Sequence, residues 1–586
     1  MVYIRKGAGS LIKLFGFLKP FRGLITFVLA LVMLQSLSEL YLPTLMSDIV
    51  DKGVVAGNTT YIWKIGGWML LVAAGGMICS ISASFFTARI SSGFGRSLRT
   101  KVFSHVSHFT QQEIDTLGTA SLITRTTNDI TQIQQVLVVL MRVMILAPMM
   151  SIGGIIMALS KDVKLTLVLA VSIPILVAAI TLVARKGVPL FKVIQVKLDA
   201  INRILRENLT GIRVIRSFNR IQHERQRFDE ASWSLTETSV RVNKIMAAMM
   251  PGMMVILNLS TVAIVWFGGI RISHGHMEIG DMMAFIQYAM QIMFSFIMLS
   301  MMFIMLPRAA VSAARINEVL EIQSVIKDGM RPADPDRETK GKIEFRGVSF
   351  RYPGAEMPAL KNISFTMNPG EVTAVIGGTG SGKSTLLQLI PRFYDVESGS
   401  VLIDGVDVRD MKQEDLRKKI GLVPQQAVLF TGTISENIRY GREEAKEEEI
   451  LHALRTAQAE EFISRMPEGL ETAISQGGTN LSGGQKQRLS IARAVVRKPE
   501  VYLFDDSFSA LDVKTDAAVR AALKEETTHS TVLIVAQRVS TIVDADQIIV
   551  LDHGEITGIG THQELMADSP VYREIVMSQM SEEEIA

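Results

Sequence analysis

Six apolar stretches, near residues 22–46, 61–88, 133–159, 163–184, 246–270 and 280–306, fill the first half of the chain. Each is long enough to cross a bilayer core, which takes about 20 helical residues. A helix satisfies its own backbone hydrogen bonds, so it is the natural spanning form. The first half is therefore expected to be an α-helical transmembrane domain, with both of its ends on one side. Bulk composition agrees, at 48% hydrophobic residues and a mean hydropathy of +0.28, high for a soluble protein.

Orientation follows from the basic residues. Segments 89–131 and 185–244 carry five and thirteen Lys or Arg, whereas the opposite connections contribute only Lys52, Lys161, Lys164 and Arg271. The long basic segments, and with them both termini, are expected in the cytoplasm. Helical periodicity at Ile201, Leu205 and Leu209 reads as helices that continue far beyond the bilayer rather than slack loops. Ser10–Pro20 reads as an amphipathic helix lying on the membrane surface. Short helices are expected at the tips of the inner segments, near Gln111–Thr116 and Ser217–His223. No cleavable signal is expected, because no small-residue cleavage site follows the basic start.

The 586 residues exceed what one core holds, and the texture changes midway. Residues 1–325 are expected to form the membrane domain and 326–341 a polar linker containing Pro332 and Pro335. From 342 to 586, β-branched strands alternate with amphipathic helices, the pattern of an α/β domain. A net charge of +3 gives no reason to invoke nucleic acid. The single cysteine, Cys79, can form neither an internal disulfide nor a cysteine-cluster metal site.

The strongest chemical motif is Gly377, Gly378, Thr379, Gly380, Ser381, Gly382, Lys383 and Ser384, followed by Thr385. It follows an expected strand, Val372–Ile376, and opens an expected helix, which is the context a phosphate loop requires. Its glycines let backbone N–H groups face phosphate oxygens. Lys383 would reach the terminal phosphates, and Ser384 would offer an oxygen to Mg²⁺. A second apolar strand, Val501–Phe504, delivers Asp505, the expected Mg²⁺ partner. The cofactors implied are ATP and Mg²⁺.

Between these motifs stand Leu481, Ser482, Gly483, Gly484 and Gln485. This LSGGQ resembles the signature of ATP-binding-cassette (ABC) proteins. The order membrane domain then nucleotide domain is similar to an ABC exporter half-transporter, and Thr124–Asp129 and Glu207–Arg213 resemble exporter intracellular loops. The resemblance implies that Tyr352 stacks on adenine, that Gln425 bridges Mg²⁺ and the membrane domain, and that Ser509–Asp512 is the D-loop. It also implies two cassettes packed head to tail, each signature serving the partner's phosphate loop.

Two positions depart from the family pattern. Asp506 stands where a glutamate polarises the attacking water, and Gln537 stands where the switch histidine is expected. The carboxylate is one methylene shorter, and a misplacement of about 1 Å can cost roughly 10²-fold in rate. A glutamine cannot accept a proton as imidazole does. The expectation is a subunit whose own site is slow, paired with a second half-transporter that carries the missing Glu and His, as in bacterial heterodimeric multidrug exporters. A homodimer tolerating Asp506 is one alternative. Gln476 is a further departure, standing where the exporter segment is acidic.

Residues 246–305 hold fourteen of the 32 methionines, and methionine suits surfaces that must fit many shapes. By the resemblance the last span lines the pathway, so Met290, Met293, Met298, Met301 and Met302 are candidate substrate contacts. Polar residues within spans are further candidates: Glu39 with Gln35 on the first, and Gln287 with Gln291, one helical turn apart, on the sixth. ATP-driven efflux of hydrophobic or cationic amphiphilic compounds across a bacterial cytoplasmic membrane is the expected function. Lipid or lipid-precursor flipping is the other alternative.

Overall fold

The computed structural model describes residues 9–329 and 340–579, so much of the expected linker lies outside the described residues. The chain divides into two compact units: Met1–Ser107 with Gly118–Ile322, and His108–Leu117 with Gln323–Ala586.

The first unit is built on six long helices, α1 (Arg22–Asp48), α2 (Thr59–Val106), α3 (Ile130–Lys161), α4 (Thr166–Thr210), α5 (Ile221–Ser273) and α6 (Ile279–Glu321). Each carries a window apolar enough to span a bilayer. The 53 residues of α5 reach roughly 80 Å, well over twice the bilayer core. The inner segments are thus helices carried far beyond the bilayer and broken only by short turns at their tips, as their periodicity implies. Large apolar side chains face outward, among them Trp63, Leu70 and Trp266, which is stable only against lipid or another apolar surface. Helices α4 and α5 pack chiefly on each other, while α1 pairs with α2 and α3 with α6.

The expected surface helix at Ser10–Pro20 is helical but changes character: its second half is a tight 3₁₀ turn, Phe15–Phe21, that runs into α1. Leu11 and Leu14 are buried. Asn317 Nδ2 donates to Ser10 O at 2.8 Å, and Lys13 pairs with Glu321 at 2.7 Å. The tip helix expected at Ser217–His223 lies earlier, at Ile212–Ser217. Asn219 takes a left-handed φ of 51° there, a conformation asparagine tolerates and a helix does not.

Helices α1 and α6 are tied by a ladder of polar contacts inside the apolar unit. Ser47 Oγ donates to Asp281 at 2.8 Å, Thr44 and Tyr288 share a hydrogen bond of 2.6 Å, and Tyr288 also donates to Leu40 O. Gln291 Nε2 donates to Glu39 O at 3.1 Å. Lys161 from the end of α3 joins at Asp281, 2.6 Å away. Such groups hold their neighbours because unpaired polar atoms are costly in an apolar medium.

The second unit holds a six-stranded sheet of β1 (Val372–Gly377), β2 (Ile420–Val423), β3 (Val501–Asp505), β4 (Thr531–Val535), β5 (Gln547–Asp552) and β6 (Glu555–Gly560), in the order β6-β5-β1-β4-β3-β2. All pairings are parallel except β5 with β6. The parallel strands are mostly apolar and almost wholly buried, as a sheet covered on both faces requires. An antiparallel sheet of Ile343–Phe350, Leu360–Met367, Ser398–Ile403 and Val406–Asp407 adds a second layer.

The short helix Gln111–Leu117 belongs to this second unit. Its Glu113 carboxylate accepts hydrogen bonds from the Thr110 N–H at 2.6 Å, the Thr110 hydroxyl, and the Val325 N–H at 3.0 Å. Asp115 accepts a bond of 2.9 Å from the Tyr394 hydroxyl. Burial pushes the Glu113 carboxyl up, but the hydrogen bonds outweigh burial and hold it below the usual carboxylate range. A depressed folded value means that its contribution is present at neutral pH and is lost as pH falls through that lowered value. Glu113→Ala leaves two backbone donors without their acceptor and is expected to destabilise this attachment by about 1–3 kcal/mol. Faster amide exchange over residues 108–117 would register the loss; unchanged exchange would show that Glu113 is dispensable.

Candidate functional site

Parallel pairing places the C-terminal ends of β1, β3 and β4 side by side. Val535 of β4 lies in register with Val375 on one flank and Asp505 on the other. The chain leaving each strand therefore emerges at the same edge: Gly377–Ser384 from β1, Asp505 and Asp506 from β3, and Gln537 from just past β4.

Within the glycine loop, Gly380 and Gly382 have left-handed φ of 81° and 102°, which side chains rarely adopt. A Cβ on Gly382 would lie 2.7 Å from Ala359 O. The loop leads into α7 (Lys383–Leu389). Lys383 Nζ donates to the carbonyls of Gly377 and Gly378, at 2.8 and 2.7 Å. Burial lowers the Lys383 ammonium below its ordinary value, against the pull of Asp506 and Asp505. Ser384 Oγ donates to Asp505 Oδ1 at 3.0 Å. Ser381 Oγ is buried and has no hydrogen-bond partner among the described residues, in a loop shaped for anions.

The Asp506 carboxylate gathers two amides on one oxygen. Gln425 Nε2 and Gln537 Nε2 donate to its Oδ2 at 3.2 and 2.9 Å. Asp506 has a left-handed φ of 47°, and its N–H donates to Val535 O at 2.8 Å. Tyr352, half-buried, packs edge-on against Phe350 and Tyr394, and its hydroxyl meets Thr385 Oγ1 at 3.0 Å.

The signature opens α8 (Gly483–Val496). Ser482 and Gln485 form a reciprocal cap, with Ser482 N–H donating to Gln485 Oε1 at 2.9 Å and Gln485 N–H donating to Ser482 Oγ at 3.3 Å. Leu481 is buried, and Gly484 lets the D-loop approach, since a Cβ there would lie 3.2 Å from Ala510 O. Asp512 caps α9 (Val513–Glu526) by accepting from the Thr515 N–H and hydroxyl. Among the described residues, 481–485 make no hydrogen bond to 377–385. Gln476 precedes two left-handed glycines, Gly477 and Gly478, and Lys486 closes that loop on Gly477 O at 2.9 Å.

The transmembrane candidates separate. Glu39 and Gln291 are brought together, Glu39 also accepting from Gln35 Nε2 at 2.9 Å. Gln287, Met290 and Met298 are exposed on α6, whereas Met293 is buried with Leu176 and Met253. The Met301 side chain lies outside the described residues. The sequence reading missed Glu113, Tyr394 and Gln579, whose roles are long-range contacts that carry no local pattern.

Known proteins match over nearly the whole chain. Residues 25–319 fit the ABC transporter transmembrane region and residues 360–509 the ABC transporter domain. An uncharacterized ABC transporter ATP-binding protein of Mycobacterium tuberculosis, MT1311, is 44% identical, covering 96% of this chain and 97% of the relative. Another, YfiB of Bacillus subtilis, is 40% identical over 97% and 99%. An ATP-dependent lipid A-core flippase of Chromobacterium violaceum is 32% identical over 97% of each. A bacterial Atm1-family ABC exporter with ATP bound superposes with a TM-score of 0.78 at 25% identity, covering 96% of this chain and 99% of that one. The chain belongs to the ABC transporter family. It is an ABC exporter, a multi-pass bacterial membrane protein whose second domain binds and hydrolyses ATP.

The loop, the buried Ser381 hydroxyl and the Ser384–Asp505 pair fit MgATP: Lys383 and Ser381 would meet phosphate oxygens, and Ser384 and Asp505 the metal. Bound Mg²⁺ neutralises charge on the phosphates. Burial pushes the Asp505 carboxyl above its ordinary value, although the Ser384 hydroxyl opposes it. Because the metal needs the ionised carboxylate, MgATP affinity is expected to weaken on acidification at a higher pH than an ordinary aspartate would give. Titrating a fluorescent ATP analogue across pH checks this. Asp505→Asn should weaken binding about tenfold or more and flatten the pH response.

Proposed function

We propose that the chain is one subunit of a heterodimeric exporter that moves hydrophobic or cationic amphiphilic compounds out across the cytoplasmic membrane, and that its own ATP site turns over slowly. The observation carrying this reading is the Asp506 carboxylate, one methylene short of glutamate and held on Oδ2 by Gln425 and Gln537. Both partners only donate there, so neither can take a proton from an attacking water. Aspartate also tolerates the left-handed backbone at 506 better than a longer side chain.

The intact signature cap at Ser482–Gln485 supports a second role, in which this chain completes the partner's site. In the membrane domain (1–325, joined by a linker at 326–341 to the nucleotide domain 342–586), apolar side chains at the α4–α5 tip support a partner surface: Leu209, Val214 and Phe218 are strongly exposed. Both termini lie in the cytoplasm on this reading. Glu39, Gln287, Met290, Gln291 and Met298 contribute to the substrate path, with Glu39 favouring cationic groups. A second reading, lipid flipping, is favoured by the similarity to lipid A-core flippases.

ATPase assays in lipid nanodiscs test the proposal. The chain alone should hydrolyse ATP slowly, and addition of its partner half should restore full turnover. Asp506→Glu should raise the rate of the isolated chain by about 10–100-fold. Full activity of the unmodified chain alone would replace the heterodimer with a homodimer. Stimulation by lipid precursors but not by cationic amphiphiles would favour the flippase.

A further inference from the structure

The loop that carries Gln537 is held from outside the nucleotide site. Beyond helix Pro570–Met577, the side chain of Gln579 reaches the backbone on both sides of Arg538. Its Nε2 donates to Gln537 O at 2.8 Å, and its Oε1 accepts from the Val539 N–H at 2.9 Å. One amide thereby fixes an acceptor and a donor two residues apart, a bidentate contact that sets position as well as distance. Arg538, between them, reaches Ser509 O of the D-loop at 3.5 Å.

The helix that delivers Gln579 is firmly seated. Tyr572 and Val576 are fully buried, and Ser569 caps its start. His562 Nδ1 and the Tyr572 hydroxyl lie 2.8 Å apart, and Arg573 donates to the carbonyls of Met566 and Ala567 at 3.0 and 2.8 Å. Gln579 and Gln537 are exposed, whereas Val539 is fully buried, so water readily replaces the bond to Gln537 O but not the one from the Val539 N–H. Their effect is geometric: they hold the backbone at 537–539, from which Gln537 sets its side-chain amide 2.9 Å from Asp506.

We propose that Gln579 is a positioning residue for ATP hydrolysis, acting through Gln537 on Asp506, so that turnover depends on the docked helix Pro570–Met577. The inference rests on the reading above, in which Asp506 and the Gln537 that holds it set the slow hydrolysis at this chain's own site.

The test is single-turnover ATP hydrolysis by the full chain in nanodiscs, with protein in excess so that slow chemistry is measured directly. Gln579→Ala should slow the step about 3–10-fold, the worth of one or two hydrogen bonds, with ATP affinity unchanged. In a Gln537→Ala background the same substitution should cost nothing further. Amide exchange at Val539 should accelerate in Gln579→Ala but stay protected in Gln579→Glu, which keeps the acceptor and loses the donor to Gln537 O. Gln579→Glu should still slow hydrolysis. If Gln537→Ala slows hydrolysis and Gln579→Ala does not, or if the two losses add, the positioning role is overturned. If Gln537→Ala alone changes nothing, the role of Gln537 itself fails, and the proposal falls with it.

Discussion

Parallel pairing of β1, β4 and β3 is the constraint on which the site depends. Parallel strands present their C-terminal ends at one edge, so residues more than a hundred positions apart meet without any shared loop. Register makes this concrete: Val375, Val535 and Asp505 form one row across the sheet. Asp505 stands in that row, Asp506 one residue beyond it, and the glycine loop and Gln537 two residues beyond it. A slip of one residue in β3 would turn Asp505 away from Ser384 and lose the 3.0 Å contact. The near-complete burial of these strands is what prevents such a slip.

The membrane unit obeys a different constraint. Apolar surface holds no preference for one helix neighbour over lipid, so specificity must come from packing and from polar ties. The α1–α6 ladder supplies them at near-helical spacing, from Ser47–Asp281 down to Glu39–Gln291. These two helices are therefore fixed as a pair. The α4–α5 pair has few such ties to the rest of its unit and carries strongly exposed apolar side chains at its tip. A fixed pair and a loosely attached pair in one unit suit a transporter that must change shape.

Much of this was legible in the sequence, and the division is physical. The spans, their helical extensions and the glycine loop could be read because each is governed by short-range rules: periodicity, length, and the backbone freedom of Gly380 and Gly382. Asp506 and Gln537 stood out only against the family pattern, where a glutamate and the switch histidine are expected. The tip helix was misplaced by about one turn, because a left-handed Asn219 ends it and no residue pattern marked that choice. Glu113, Tyr394 and Gln579 were invisible. Each is an ordinary polar residue whose importance comes from a partner far away in the chain. The methionine-rich span was only partly readable, since spacing could not tell exposed Met290 and Met298 from buried Met293.

Asp506 remains the point on which the functional account turns, because it lies between an ordinary ATPase and an asymmetric pair. Cryo-electron microscopy of the assembled transporter during steady-state ATP turnover examines it most directly. The account predicts intact ATP, γ-phosphate present, against Lys383 and Ser384 of this chain, and spent nucleotide at the site facing Ser482–Gln485. ADP at Lys383 in the turning-over population, with both sites alike, would contradict it.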